Sequence, residues 1–193
     1  MNGVVWFAVG SMIPFLVGFI GVPLLSASGV FSGMPFSVPI GLVFVASAIG
    51  GAVAGGFSMG RRASLAFSVA FVFTLWMPLL IVTSLQSLSG REQFFEMFVG
   101  VGVGFGLAYF LLGSVGVGVL SNMSLWKMLR GGSVFAVGGL TGGLLLAASV
   151  TVASEFSDTV ALSVRLGGGA LSCLIPSSIG GWWVQDLVCG TRR

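Results

Sequence analysis

The chain has 193 residues, of which 56% are hydrophobic and only 7% are charged, with a formal net charge of +3 and no histidine. Soluble domains carry roughly 25% charged residues, so this composition excludes an ordinary soluble core. The eight basic residues are scattered along the chain instead of forming one basic face, which argues against nucleic acid as a partner.

Long apolar runs separated by short charged clusters predict an all-α, polytopic membrane protein. A charged side chain at the bilayer centre costs at least ~2.5 kcal/mol, and about 20 apolar residues suffice to cross the bilayer as a helix. The runs are apolar on both faces, which excludes barrel strands. One integral membrane domain, 1–193, with about six spans is therefore predicted: 3–25, 39–60, 63–88, 94–120, 132–153 and a last span ending at 184.

The start of the last span is open to two interpretations, residue 159 or residue 166. The Gly167–Gly169 run is a poor helix interior, which favours the later start with Val160 to Arg165 at the surface. The earlier start would place Arg165 inside the helix.

The basic residues predict the orientation. Six of them fall on one side of a six-span chain: Arg61, Arg62, Lys127, Arg130, Arg192 and Arg193. Only Arg91 and Arg165 fall on the other side, so the positive-inside rule predicts that both termini are cytoplasmic. We expect an integral protein of a prokaryotic plasma membrane. Alternatively, the first span is a signal peptide cleaved within 25–29, which would leave five spans.

Glycines spaced four residues apart predict close helix packing, because small residues on one face let two backbones approach. The pairs are Gly51 with Gly55, Gly102 with Gly106, and Gly138 with Gly142. Packing within one chain is the first interpretation, and a dimer or partner face is the alternative. The doubled glycines of the second and fifth spans also fit an inverted repeat of two three-span halves, although a glycine-rich composition explains them as well.

Prolines at 14, 78 and 176 fall inside predicted spans, where a missing backbone donor kinks a helix. The stretch 175–181 combines Pro176 with two serines and two glycines. It is the predicted place for a span broken for function.

The chain lacks the residues of common catalytic and metal sites. Without histidine there is no Ser-His-Asp triad, and the commonest transition-metal ligand is missing. The segment 55–62 differs from a phosphate-binding loop, because Arg61 and Arg62 replace the lysine and the hydroxyl residue. We therefore predict neither an enzyme nor a cofactor or metal site.

Three residues are candidates for substrate binding. Arg165 near the outer boundary would bind an anionic group, Glu96 lies at the start of the fourth span, and Tyr109 lies near its middle. The alternatives are that Arg165 extends to the membrane surface and that Tyr109 makes only a buried hydrogen bond.

These features predict a small-solute transport component, either a permease or a substrate-binding membrane subunit. Its size, span number and cytoplasmic termini resemble the substrate-binding subunits of energy-coupling-factor vitamin transporters. That resemblance is one of topology, without a shared motif, and it implies a cytoplasmic ATPase or other membrane subunits as partners besides the lipid bilayer. The alternative is a non-transporting scaffold or accessory subunit of a membrane complex, which would need no solute site.

Overall fold

The computed structural model describes residues 3–35, 37–85, 93–122, 124–153 and 156–190. These ranges contain helices and turns without any strand, which confirms the all-α prediction for them. The helices are α1 (Gly3–Phe15), a π-helical segment (Leu16–Gly21), α2 (Val22–Ala27), α3 (Ser37–Met59), α4 (Arg61–Leu85), α5 (Gln93–Leu120), α6 (Leu125–Ala153) and α7 (Asp158–Gly190).

Five helical stretches within the described ranges are long and apolar enough to cross a membrane: Gly3–Ala27, Ser37–Met59, Gly100–Leu120, Leu125–Ala153 and Thr159–Val184. These stretches fit a multi-pass integral membrane protein. The first of them joins α1, the π-helical segment and α2 into one helix, which we call the first helix. Helix α4 has 25 residues but is not among the five.

The six long helices form a ring in chain order. Each packs against the next one along the chain, and α1 packs against α7, so the ring is closed. Neighbours run antiparallel: Gly51 of α3 lies opposite Phe67 of α4, and four residues later Gly55 lies opposite Ala63. The Ser68 hydroxyl of α4 also donates a hydrogen bond to the Ala48 carbonyl of α3, at 2.9 Å. The start of α1 therefore lies beside the end of α7.

Helix α3 uses two small-residue faces, one toward each neighbour in the ring. Gly50 and Ala54 lie against Gly10 of α1, while Gly51 and Gly55 lie against α4. A Cβ added at Gly51 would meet the Phe67 backbone, so the two helices approach as closely as glycine allows.

Helix α6 is built in the same way. Gly138 and Gly142 lie against Pro176 and Ser172 of α7, and the neighbouring Gly139 and Gly143 lie against α5. On α5, Gly102 and Gly106 in turn face Leu144 and Leu140 of α6. The glycine pairs singled out in the sequence therefore face other helices of the same chain.

The preference for a last helix starting at residue 166 is wrong. Helix α7 begins at Asp158 and continues through the glycine run, so Arg165 lies within it. Each glycine costs about 1 kcal/mol relative to alanine in a helix, and two of the three allow close packing, whereas Gly167 has no neighbour within 4 Å. Gly168 lies against Ser149 of α6, and Gly169 lies against the Phe15 ring of α1.

The prediction that the Pro176 stretch is the broken one is also wrong. Helix α7 is continuous across Pro176, which is fully buried against Gly138 and Gly142. The irregular backbone instead lies in the first helix, where the π-helical segment follows Pro14. Proline removes the backbone donor that would bond the carbonyl four residues earlier, and π-helical turns inside α-helices occur frequently at functional sites.

Candidate functional site: a cavity inside the helix ring

A cavity of about 350 Å³ lies inside the ring and takes its wall from all six long helices. Its apolar wall residues are Pro14, Phe15, Gly18, Phe19, Val43, Phe71, Phe105, Leu112 and Leu146. Its polar wall residues are Ser11, Ser47, Thr74, Tyr109 and Cys173, so the described wall contains no charged side chain. Ring closure creates this space, because no pair of neighbouring helices encloses it alone.

An aromatic cluster closes the ring interior at the end where α1, α4 and α6 begin. Phe7 of α1, Phe67 of α4 and Phe135 of α6 are fully buried there. Phe7 contacts Phe67 edge to face with ring centroids 4.8 Å apart, and its centroid lies 6.0 Å from that of Phe135. Leu112 belongs both to this cluster and to the cavity wall, so the cluster forms the cavity floor.

The polar wall residues differ in whether their hydrogen bonds are already made. The Ser11 hydroxyl donates to the Ala8 carbonyl at 2.9 Å, and the Thr74 hydroxyl donates to the Ala70 carbonyl at 2.8 Å. By contrast, the Ser47 hydroxyl is fully buried without a hydrogen-bond partner among the described atoms. A buried hydroxyl without a partner costs about 1–3 kcal/mol, so Ser47 is the wall group that gains most from a ligand.

Tyr109 lies in the wall on α5, beside Cys173 of α7. Ser177, one turn further along α7, is also next to it and is fully buried. The tyrosine ring therefore spans the boundary between the aromatic floor and the open space, with its polar neighbours on the opposite helix.

The cavity is partly open, and the π-helical segment forms the exposed part of its wall. Among the wall residues Phe19 alone is exposed, at 50%, and its ring stacks on Phe15 with centroids 4.9 Å apart. Gly18 lies beside Val43 of α3. A π-helical turn shifts the side chains after it relative to a regular helix, so this segment sets where Phe19 stands at the opening.

The three residues predicted to bind substrate occupy different places. Tyr109 lies in the cavity wall. Arg165 is exposed and does not line the cavity. The Glu96 side chain lies outside the described part of the structure. The structure thus keeps Tyr109 and Arg165 apart, and the roles of all three residues in substrate binding stay predictions.

Sequence reasoning missed most of the cavity wall. Ser47 and Thr74 lie in glycine-rich or apolar runs without any motif, and Phe19 is one of 17 phenylalanines. A polar side chain at mid-span was the only available signal, and it marks Ser11, Ser47 and Thr74 equally. Only their positions in the ring show that they share one space.

Aromatic and basic side chains also lie at the end of the ring where α1, α4 and α6 begin. Trp6 stacks on Phe57 with centroids 4.4 Å apart, and the Arg130 guanidinium lies 5.9 Å from the centre of a Trp183 ring. Trp126 and Trp182 are also exposed there, at 75% and 65%. Tryptophan and arginine together are typical of a membrane–water boundary.

Comparison with protein-family models, curated proteins and solved structures finds no match to this chain. Within the described residues, no group of three or more histidine, cysteine or acidic side chains is placed to hold a metal ion.

Proposed function

We propose that this protein is the substrate-binding membrane component of a small-solute transport system. The main support for this proposal is the cavity of about 350 Å³ inside the ring. An aromatic floor closes the cavity at one end, and it is partly open at Phe19. Ligand sites in proteins are concave, mostly apolar and furnished with a few polar groups. This cavity has those properties, and Ser47 and Tyr109 supply polar groups.

The proposal includes six membrane spans with both termini in the cytoplasm. α4 supports the sixth span, since it is 25 residues long and stands in the ring between α3 and α5. The basic residues at the helix ends support the orientation, since Arg61 and Arg62 begin α4 while Lys127 and Arg130 lie in the first turns of α6. In this orientation the aromatic floor faces the cytoplasm and the cavity lies on its outer side.

The two halves of the chain support an alternating mechanism. In each half the middle helix, α3 or α6, packs through one small-residue face on each neighbour. Related halves that rock against each other around a central site are a common transporter construction. The Phe7–Phe135 contact joins α1 of the first half to α6 of the second, so it is the one that would separate when the cavity opens inward.

The alternative function is a scaffold or accessory subunit that binds partner helices. Its specific support is the large number of apolar side chains exposed on the outside of the ring, such as Phe57, Leu65 and Val137. Lipid covers such side chains equally well, so the cavity favours the transport role.

The test is the small-molecule content of the protein purified from its native membrane in mild detergent. Val43→Trp would fill the cavity, and Val45→Trp is the matched control, because Val45 is 58% exposed on the outside of the same helix. We expect a compound that copurifies with the wild type and with Val45→Trp but not with Val43→Trp. Equal small-molecule content in all three, with an intact assembly of partner subunits, would contradict the transport role and support the scaffold.

A further inference from the structure

We infer that the cavity binds a small neutral apolar molecule that carries one hydrogen-bonding group, rather than a charged or strongly polar solute. This inference rests on the proposed function and names the substrate class of the same site. It follows from the chemistry of the wall, the size of the space and the state of the Ser47 hydroxyl.

The wall excludes ions. No charged side chain lines the described wall, and Arg165 is exposed elsewhere on α7. An ion moved from water into such a site loses its hydration and gains neither a counter-charge nor several hydrogen bonds. An anionic substrate of the kind that Arg165 would attract therefore does not fit this cavity.

The size limits the ligand. An engineered cavity of about 150 Å³ holds one benzene molecule. A space of about 350 Å³ scales on that basis to at most about 14 non-hydrogen atoms. The aromatic wall residues Phe15, Phe71 and Phe105 favour a ring-containing or branched molecule, because flat faces pack closely on rings.

The wall offers few hydrogen bonds. Ser11 and Thr74 already donate to carbonyls of their own helices. Ser47 lines the cavity, and its hydroxyl, in a side chain at 1% exposure, has no partner among the described atoms; its hydrogen rotates to suit whichever partner is offered. Tyr109 adds a second hydroxyl next to Cys173. At most two wall hydroxyls, those of Ser47 and Tyr109, therefore have a hydrogen left to donate to a ligand, while the hydroxyl oxygens of the wall can still accept.

Such a molecule also dissolves in lipid tails, so burial of apolar surface does not by itself favour the cavity over the bilayer. The preference must come from filling an otherwise empty space and from the hydrogen bond that lipid tails lack. The hydrogen-bonding group of the ligand is therefore the selective feature.

The test uses the full chain in lipid nanodiscs and measures retained probe by mass spectrometry after subtracting empty nanodiscs. The probes are 2-naphthol, naphthalene without the hydroxyl, and charged naphthalene-2-sulfonate. We expect about one retained 2-naphthol per protein, binding of naphthalene that is about 3- to 10-fold weaker, and binding of the sulfonate that is at least about 50-fold weaker.

Four variants test whether the probe binds in the cavity. Val43→Trp should abolish 2-naphthol binding, whereas the lipid-facing Val45→Trp should preserve it. Ser47→Ala should weaken 2-naphthol binding about 3- to 10-fold and leave naphthalene binding unchanged. Ser163→Ala, on an exposed part of α7, is the matched control and should change neither. Thermal unfolding of each variant shows whether it is folded.

Three results would overturn the inference: sulfonate binding as tight as that of 2-naphthol, full binding in folded Val43→Trp, or a cavity occupied by lipid. Lipid occupancy would be recognised as a phospholipid that stays on wild type and Val45→Trp after delipidation but leaves Val43→Trp, with no 2-naphthol retained.

These outcomes are separate from failure of the proposed function. If 2-naphthol binds as expected but cells yield no copurifying solute, the ligand class stands and the transport role fails. If reconstituted vesicles accumulate a charged solute and 2-naphthol does not bind, the transport role stands and the inference is overturned.

Discussion

Phe7 and Phe67 meet edge to face across the interior of the helix ring, with centroids 4.8 Å apart and ring planes at 89°. They come from α1 and α4, which are not neighbours in the ring because α3 stands between them. Their contact therefore fills the interior instead of joining adjacent helices. It forms the floor of the cavity.

Phe7→Ala and Phe67→Ala should each lower the free energy of unfolding by about 3–5 kcal/mol, because each empties a fully buried aromatic site. The double variant should show a coupling energy of about 0.5–1.5 kcal/mol, as expected for an aromatic pair. Denaturant titration in mild detergent measures both quantities. Phe73→Ala, 53% exposed on α4, is the control and should cost far less. Additive single effects would contradict a direct contact.

Two glycines on α3 should respond in opposite ways to alanine. Gly51→Ala places a Cβ against the Phe67 backbone, so we expect a loss of about 1–3 kcal/mol as the helices are forced apart. Gly41→Ala meets no atom within 4 Å and should be neutral or stabilising by up to about 1 kcal/mol, since alanine favours helix. Thermal unfolding compares the two. A similar effect of both substitutions would refute close packing of α3 on α4.

The three atoms nearest to a Cβ added at Gly180 all belong to the Phe135 ring, so a smaller side chain at 135 should relieve the clash. Gly180→Ala should destabilise the protein, and adding Phe135→Leu should make the double variant less destabilised than the sum of the single variants. Unfolding titrations of the four proteins give this coupling. In the control, Gly168→Ala with Phe135→Leu, the effects should add, because Gly168 lies about 18 Å from Gly180 along α7.

Tyr109 and Arg165 should differ in their effects on ligand binding. Tyr109→Phe keeps the ring and removes the hydroxyl from the cavity wall, so 2-naphthol binding in nanodiscs should weaken about 3- to 10-fold. Arg165→Gln changes an exposed side chain outside the wall and should leave that binding within about twofold. The reverse result would favour a substrate site at Arg165 over one in the cavity.

Cysteine accessibility tests the proposed orientation. In a protein whose Cys173 and Cys189 are replaced by alanine, Ser32→Cys lies between α2 and α3 and Ser124→Cys lies directly before α6. A membrane-impermeant thiol reagent should label the first in intact cells and the second only after the membrane is opened. Labelling of Ser124→Cys in intact cells would contradict cytoplasmic termini.

The glycine run of α7 and two prolines show why part of the fold could not be predicted from the sequence. The cost of Gly167–Gly169 in a helix is visible in the sequence, but the contacts of Gly168 with Ser149 and of Gly169 with Phe15 are not. Pro14 and Pro176 likewise read the same in sequence. Both pack against glycines of a neighbouring helix, Pro14 on Gly50 and Pro176 on Gly138 and Gly142, yet only the first helix changes to π geometry, two residues after Pro14.

The sequence by itself determined the helical class, the membrane character and the small-residue helix faces. These follow from local properties: apolar length, the cost of buried charge, and glycine spacing along one helix. Only the tertiary structure decided that α1 closes the ring against α7, that Phe7, Phe67 and Phe135 meet, and that Ser47 and Tyr109 share a cavity. Those contacts join residues far apart in the chain, and they depend on how all six helices pack together.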